Sequence, residues 1–108
     1  MARYHFPTPL SVALGFKGAL LAEGVRATLP RSRPGRQTLL VYDPTTGRPY
    51  VALTVRTLGS TQDFELYAHV SHESVLRDRL DRAWRQLTTV TWSRIVLVYG
   101  RRRSRRAA

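Results

Sequence analysis

Residues 38–57 read TLLVYDPTTGRPYVALTVRT, and this stretch decides the fold. Its two halves are rich in apolar and β-branched residues, which favour strands. Asp43 followed by proline, with Gly47 four residues later, is typical of a type I turn that ends in a left-handed position. The stretch therefore predicts a β-hairpin, with one strand over Thr38–Asp43 and the next over Tyr50–Thr57.

The sequence after this hairpin predicts a third strand, a helix and a fourth strand. Apolar and polar residues alternate over Asp63–Val70, so one face of this strand is expected to face the core and the other to face solvent. Apolar residues then keep helical spacing from His72 to Leu87, with Ser71 as the cap. The run Arg94–Tyr99 is continuously apolar after its first residue and predicts a strand covered on both faces. The step from the third strand to the last is predicted to be a right-handed crossover.

The sequence before the hairpin predicts a helix from Leu10 to Ala27, with Thr8 as the cap and Pro9 in the first helical position. The segment Pro30–Arg36 contains two prolines and a glycine, which predict an exposed loop without regular structure. The expected fold is a single small α+β domain over residues 1–100. Its order is helix, three-stranded antiparallel meander, helix, strand, followed by a disordered Arg-rich tail over residues 101–108.

Positive charge is the unusual property of this composition. The 108 residues hold 18 basic and 7 acidic side chains, for a formal net charge of +11, and the only lysine is Lys17. A GC-rich genome would favour arginine codons, but it does not explain the low acid count. A polyanionic partner would neutralise the excess charge.

Most of the excess lies in two segments that contain no acid. Eight of the eleven charges belong to the predicted loop and tail, which leaves +3 for the rest of the chain. In the second helix, Asp78 precedes Arg82 by four residues, which predicts pairing within the helix. The arginines of the loop and tail are therefore predicted to contact phosphates, and they are Arg31, Arg33, Arg36, Arg101, Arg102, Arg103, Arg105 and Arg106. Residues 99–106 resemble the arginine-rich motifs by which some small proteins bind RNA.

The wet face of the three-stranded sheet supplies a second set of candidates. Arg56, Tyr67 and His69 fall on that face by strand alternation, and such groups can stack on nucleic acid bases. The alternative is that the first helix covers this face and buries the three side chains in packing. We favour the covered interpretation on the sequence alone.

Cysteine is absent, which excludes disulfides, thiol nucleophiles and Cys-ligated metal sites. His69, His72 and Glu73 lie close together in sequence, but their predicted elements do not bring them together, and no metal or other cofactor is expected. The apolar stretch 10–29 is interrupted by charges and is too short to span a membrane. We therefore expect no membrane insertion, and we expect a cytoplasmic location.

Two resemblances to known families are confined to short features. The helix–strand order is similar to the core of PD-(D/E)XK nucleases, which carry an acid on the second strand and Glu-x-Lys on the third. Here the strand Tyr50–Thr57 has no acid and the third reads Glu65-Leu66-Tyr67, so the metal site that this family implies is incomplete. Residues 15–18, Gly-Phe-Lys-Gly, resemble the Gly-x-x-Gly loop of KH domains. The flanking order differs, and we interpret Gly15 and Gly18 as helix-packing positions.

These observations predict a non-enzymatic nucleic-acid-binding protein. The two basic segments would supply affinity that depends strongly on salt and weakly on sequence. RNA and DNA are both open as partners, and the oligomeric state is not predicted. The first alternative is a protein-binding adaptor or inhibitor of plasmid or phage type that docks on an acidic partner. The second alternative is a small nuclease or toxin.

Overall fold

A computed structural model describes residues 3, 5–59, 63–69 and 76–100 of the chain. Over these residues the protein is a small α+β fold with two helices and a mixed six-stranded sheet, which confirms the predicted class. Two short strands that the sequence analysis did not predict come between the first helix and the hairpin. The elements in chain order are α1 (Pro9–Ala22), β1 (Ala27–Thr28), β2 (Ser32–Arg33), β3 (Arg36–Tyr42), β4 (Pro49–Leu58), β5 (Asp63–His69), α2 (Leu76–Thr89) and β6 (Arg94–Gly100).

The sheet is built around the hairpin that the sequence predicted. Strand order is β1-β3-β4-β5-β6, and β2 pairs with the beginning of β3. Strands β3, β4 and β5 form an antiparallel meander, whereas β6 runs parallel to β5 because α2 connects them. The β3–β4 turn closes with a 2.8 Å hydrogen bond from the Gly47 amide to the Asp43 carbonyl. Gly47 has φ 74°, the left-handed conformation that the turn sequence predicted.

Both helices pack on one face of the sheet. Strand alternation sends every second side chain of β3, β4 and β5 into the core, where it meets the buried sides of α1 and α2. Apolar burial of this kind is the main stabilising contribution in a small domain. The largest buried apolar side chains of the core are Phe16, Leu20, Leu39, Leu53, Phe64, Leu66 and Leu80.

Helix α1 begins as predicted and ends earlier than predicted. Thr8 and Ser11 form a reciprocal capping box, in which each side chain accepts a hydrogen bond from the backbone amide of the other. At the other end, the amides of Gly24 and Val25 donate to the carbonyls of Leu21 and Leu20, which is a Schellman motif. Gly24 has φ 76° and ends the helix, so the chain turns into β1 and the predicted extension to residue 27 is wrong.

Strand β6 is the last strand of the sheet, and the described helices cover only one of its faces, so the prediction that both faces are covered is wrong. Only one face packs against α2, and residues 96–99 are partly exposed. Polar contacts also hold the strand to that helix. The Trp84 indole Nε1 donates a 2.9 Å hydrogen bond to the Ile95 carbonyl, and the Tyr99 hydroxyl donates a 2.5 Å hydrogen bond to the Asp81 carboxylate.

The two helices contact each other through small residues and charges. A Cβ atom added to Gly15 would lie 2.9 Å from a Leu87 methyl, so Gly15 is a helix-packing position as predicted. A Cβ added to Gly18 would meet nothing within 4 Å, so that part of the prediction is wrong. The Arg82 Nε binds Glu23 of α1 at 2.8 Å rather than a carboxylate of its own helix. The hydrogen bond to Glu23 raises the pKa of the Arg82 guanidinium.

Candidate nucleic-acid interface

The face of the sheet opposite the helices carries the candidates Arg56, Tyr67 and His69. The described helices leave this face uncovered, so the interpretation that α1 buries these side chains is wrong. Arg56 and His69 are exposed, and Tyr67 is partly exposed. The reason is that α1 and α2 pack side by side in one layer, with Gly15 of α1 against Leu87 of α2.

The segment that carries the other described candidates is a hairpin, so the prediction of an irregular loop is wrong. Strand β2 pairs with the start of β3, with Arg33 opposite Arg36. Pro34 and Gly35 occupy the two corners of the turn, and the φ of 74° at Gly35 suits the second corner of a type II turn. The proline and glycine that predicted an irregular loop therefore build the turn. The side chains of this segment are exposed as expected, and we call Arg31, Arg33 and Arg36 the hairpin arginines.

The Gln37 side chain holds the backbone of this hairpin from the core side of the sheet. It occupies a core position of β3, is 2% exposed, and donates hydrogen bonds to the carbonyls of Arg31 (2.5 Å) and Thr38 (3.0 Å). The Gln37 Oε1 is buried without a partner among the described residues, which costs stability. We infer that Gln37 serves to hold the backbone of Arg31. The sequence signal for this role is a polar residue at a position of the strand that faces the core, and the role was not predicted.

The two candidate sets meet in one continuous surface. A cleft of about 170 Å³ is lined by the hairpin arginines with Thr38 and Thr54. A second cleft of about 300 Å³ is lined by Arg36, Thr54, Arg56, Glu65, Tyr67 and His69. Arg36 and Thr54 line both clefts, so the clefts adjoin. We call these lining residues together the arginine–tyrosine surface.

This surface is strongly basic even though it contains a carboxylate. The Arg56 Nε donates to Glu65 across the β4–β5 pair at 2.7 Å, which holds the guanidinium on the sheet. Four arginines and one glutamate line the two clefts, which leaves a net charge of +3. Guanidinium groups at this density attract phosphates, and each can hold a phosphate by two hydrogen bonds.

Tyr67 and His69 form a small aromatic cluster beside these arginines. Their ring centroids are 4.6 Å apart with an interplanar angle of 65°, which is the edge-to-face geometry that aromatic pairs favour. The Tyr67 ring leans over Gly100 of β6, where any Cβ atom would overlap the tyrosine hydroxyl. Gly100 therefore leaves room for the Tyr67 ring, which the sequence did not predict because the contact joins two different strands.

The acids on this face of the sheet are engaged with arginines. Asp63 lies 3.8 Å from Arg94, and Glu65 binds Arg56. Within the described ranges, no three His, Asp or Glu side chains come together as a metal site would require. His72 and Glu73, the other two members of the predicted trio with His69, lie outside the described residues.

The predicted tail arginines also lie outside the described residues. Gly100, the last described residue, pairs with His69, and the sequence continues directly into Arg101-Arg102-Arg103. The basic segment therefore follows directly on β6, the strand next to the one that carries Tyr67 and His69. The candidates Arg105 and Arg106 follow in the same segment.

The helical side of the molecule is different in character. Leu10, Leu14 and Leu21 are 43%, 51% and 68% exposed along α1. A groove of about 470 Å³ lies beside them between the helices, and its lining is apolar except for Gln86. Neither helix in the described part of the chain has the length and apolar character needed to span a bilayer.

Comparison of the chain with protein-family models, with characterised proteins and with solved structures finds no match, so the assignment of function starts from the arginine–tyrosine surface itself.

Proposed function

We propose that this protein is a non-enzymatic nucleic-acid-binding protein that contacts phosphates through the hairpin arginines and the arginines of residues 101–106. The observation that supports this proposal is the junction of the two clefts, which places the hairpin arginines beside Arg56, Tyr67 and His69 on an uncovered sheet face. Phosphate binding requires cations on one accessible surface, and this surface meets that requirement. Contacts to phosphates carry no base information, so we expect weak sequence specificity.

The test is binding to labelled DNA and RNA of the same sequence across a salt series. Replacing Arg31, Arg33 and Arg36 together by Gln removes three positive charges from the hairpin. Each lost phosphate contact lowers the slope of log affinity against log salt by about 0.7 to 0.9. The affinity ratio between 50 and 200 mM salt should therefore shrink about 20- to 40-fold relative to the wild type.

A matched variant controls for net charge. Lys17, Arg79 and Arg85 lie on the helices, away from the sheet face, and their replacement by Gln also removes three charges. If affinity depends on the total charge alone, both triple variants lose it equally, and the hairpin has no special role. Absence of binding by the wild-type chain near physiological salt would refute the proposal. Product formation with added Mg²⁺ would instead favour the nuclease alternative.

A protein with an acidic surface is the second candidate partner, and the helical side favours it. Exposed apolar side chains in a row are typical of protein–protein contact surfaces, and Leu10, Leu14 and Leu21 form such a row. Carboxylates would satisfy the same arginines that phosphates do. Replacing Leu14 and Leu21 by Gln leaves the sheet face intact. If these changes abolish the function of the protein while nucleic acid binding persists, the function depends on a protein partner.

A further inference from the structure

We propose that the arginine–tyrosine surface binds single-stranded nucleic acid and stacks one unpaired base on Tyr67. This inference rests on the proposed function and narrows its substrate to one class. It concerns the aromatic end of the surface, which phosphate binding alone does not use.

The Tyr67 ring has the properties of a stacking platform. It is partly exposed on the uncovered face, and its edge-to-face contact with His69 at 4.6 Å fixes its orientation. Gly100 gives the ring room to lie low across β6. By contrast, the Tyr42 ring on the same sheet already carries the Arg26 guanidinium at 4.2 Å. A base presents its π-face to such a ring only when it is unpaired and unstacked.

The shape of the surface excludes the usual way of contacting duplex bases. The major groove is about 12 Å wide and admits a helix or a two-stranded ribbon. The four long strands β3 to β6 span about 14 Å between their outer axes, before any side chain is added. The Arg31–Arg36 hairpin does not project as a ribbon either, because β3 is paired along its other side with β4. A duplex therefore cannot take this face into its major groove and would meet it chiefly through its backbone.

The charges give the bound strand a direction across the sheet. From the strand register, Arg36 lies about 12 Å from Tyr67, two strands across and two residues along. Gly100, where the basic tail sequence begins, lies about 20 Å from Arg36 on the same diagonal. The Glu65 carboxylate beside Tyr67 repels phosphates, so the backbone lies nearer the hairpin arginines and the base nearer the ring.

The experiment compares three probes of about twelve nucleotides, within the range of site sizes for small single-strand-binding domains. They are a mixed-sequence single strand, its duplex, and an abasic strand of the same length, each titrated with the full chain by fluorescence anisotropy. We expect the wild type to bind the single strand more tightly than the abasic strand or the duplex. Loss of one base stack corresponds to about 5- to 150-fold in affinity.

Three variants assign this preference to Tyr67. Tyr67→Leu should lose about 5- to 150-fold for the single strand and nothing for the abasic strand. Tyr67→Phe keeps the ring and should bind within about twofold of the wild type, since stacking needs only the π-face. Gly100→Ala keeps Tyr67 but displaces its ring, so it should weaken single-strand binding selectively, as a positioning residue would.

The outcomes separate this inference from the function on which it rests. If no probe binds, the proposed function fails. If all three probes bind equally and Tyr67→Leu changes none of them, phosphate binding stands and the stacking inference is overturned. Circular dichroism and thermal unfolding check that each variant is folded. Should Tyr67→Leu not fold, equal wild-type affinity for the single strand and the abasic strand would still overturn the inference.

Discussion

Tyr99→Phe should destabilise the protein by breaking the contact that holds β6 to α2. The Tyr99 hydroxyl donates to the Asp81 carboxylate at 2.5 Å and approaches the Arg77 carbonyl at 3.3 Å, and the Arg77 guanidinium lies 4.0 Å over the ring. A hydrogen bond to a charged acceptor contributes about 1.5 to 3 kcal/mol. Asp81 is partly exposed and regains water in the variant, so we expect a loss of about 1 to 2 kcal/mol.

The assay is unfolding in urea, monitored by circular dichroism, together with thermal unfolding of the same proteins. A loss of 1 kcal/mol lowers the midpoint temperature by about 4 to 8 °C in a domain of roughly this size. Tyr50→Phe is the matched control, because Tyr50 is 45% exposed, whereas the Tyr99 hydroxyl is hydrogen-bonded to a partly buried carboxylate. We expect Tyr50→Phe to stay within about 0.5 kcal/mol of the wild type.

The same residue gives the stability a pH dependence with a definite sign. Burial raises the pKa of Tyr99, and the hydrogen bond to Asp81 raises it further. The folded state therefore keeps the phenol proton above pH 10, where the unfolded state loses it. The free energy of unfolding should fall as pH rises above about 10, by at most about 1.4 kcal/mol per pH unit and by less for a half-buried group. Tyr99→Phe should remove this fall. An unchanged stability and pH profile in Tyr99→Phe would refute the reasoning.

Gly18 within α1 and Gly24 just after its end should respond oppositely to alanine, which unfolding in urea can measure. Gly18→Ala should stabilise the protein by about 0.5 to 1 kcal/mol, because the site is helical and a Cβ there meets nothing within 4 Å. Gly24→Ala should destabilise it by about 1 to 2 kcal/mol, because φ is 76° there; equal effects at the two sites would contradict the Schellman assignment. Thr8→Ala should cost about 1 kcal/mol by removing the acceptor for the Ser11 amide, with Thr8→Ser as the control that retains it.

The fold could be predicted from the sequence wherever pattern and turn chemistry agreed. The alternation in β5, the turn at Asp43 and Gly47, and the cap at Thr8 all specify local structure, and each is observed. The uninterrupted apolar run of β6 predicted a strand correctly. It predicted burial on both faces wrongly, because an apolar sequence does not say on which face of the sheet the helices pack.

The hairpin of residues 31–36 was not predicted because proline and glycine, the two residues that mark its turn, are ambiguous signals. Proline and glycine next to each other break regular structure, but they also make the corners of a tight turn. What decides between these outcomes is the pairing of β2 with β3 and the hydrogen bond of Gln37 to Arg31. Both depend on neighbouring strands, which local composition does not report.

The candidate residues were identified from chemistry, but their arrangement needed tertiary structure. Strand alternation placed Arg56, Tyr67 and His69 on one face, and composition marked the hairpin arginines. The sequence did not show that the helices leave this face uncovered or that Arg36 joins the two sets. Gly100 was missed because its role is to leave space for Tyr67, which is two residues and one strand away.

The hydrogen-bonded hairpin has a thermodynamic consequence for ligand binding. A disordered loop must be ordered when it binds, at about 1 to 2 kcal/mol of conformational entropy for each backbone residue fixed. The backbone of residues 31–36 is already held by strand pairing and by the Gln37 amide, so ligand binding has only the arginine side chains to immobilise. The hairpin arginines are thus preorganised, and more of their attraction to a polyanion remains as net affinity.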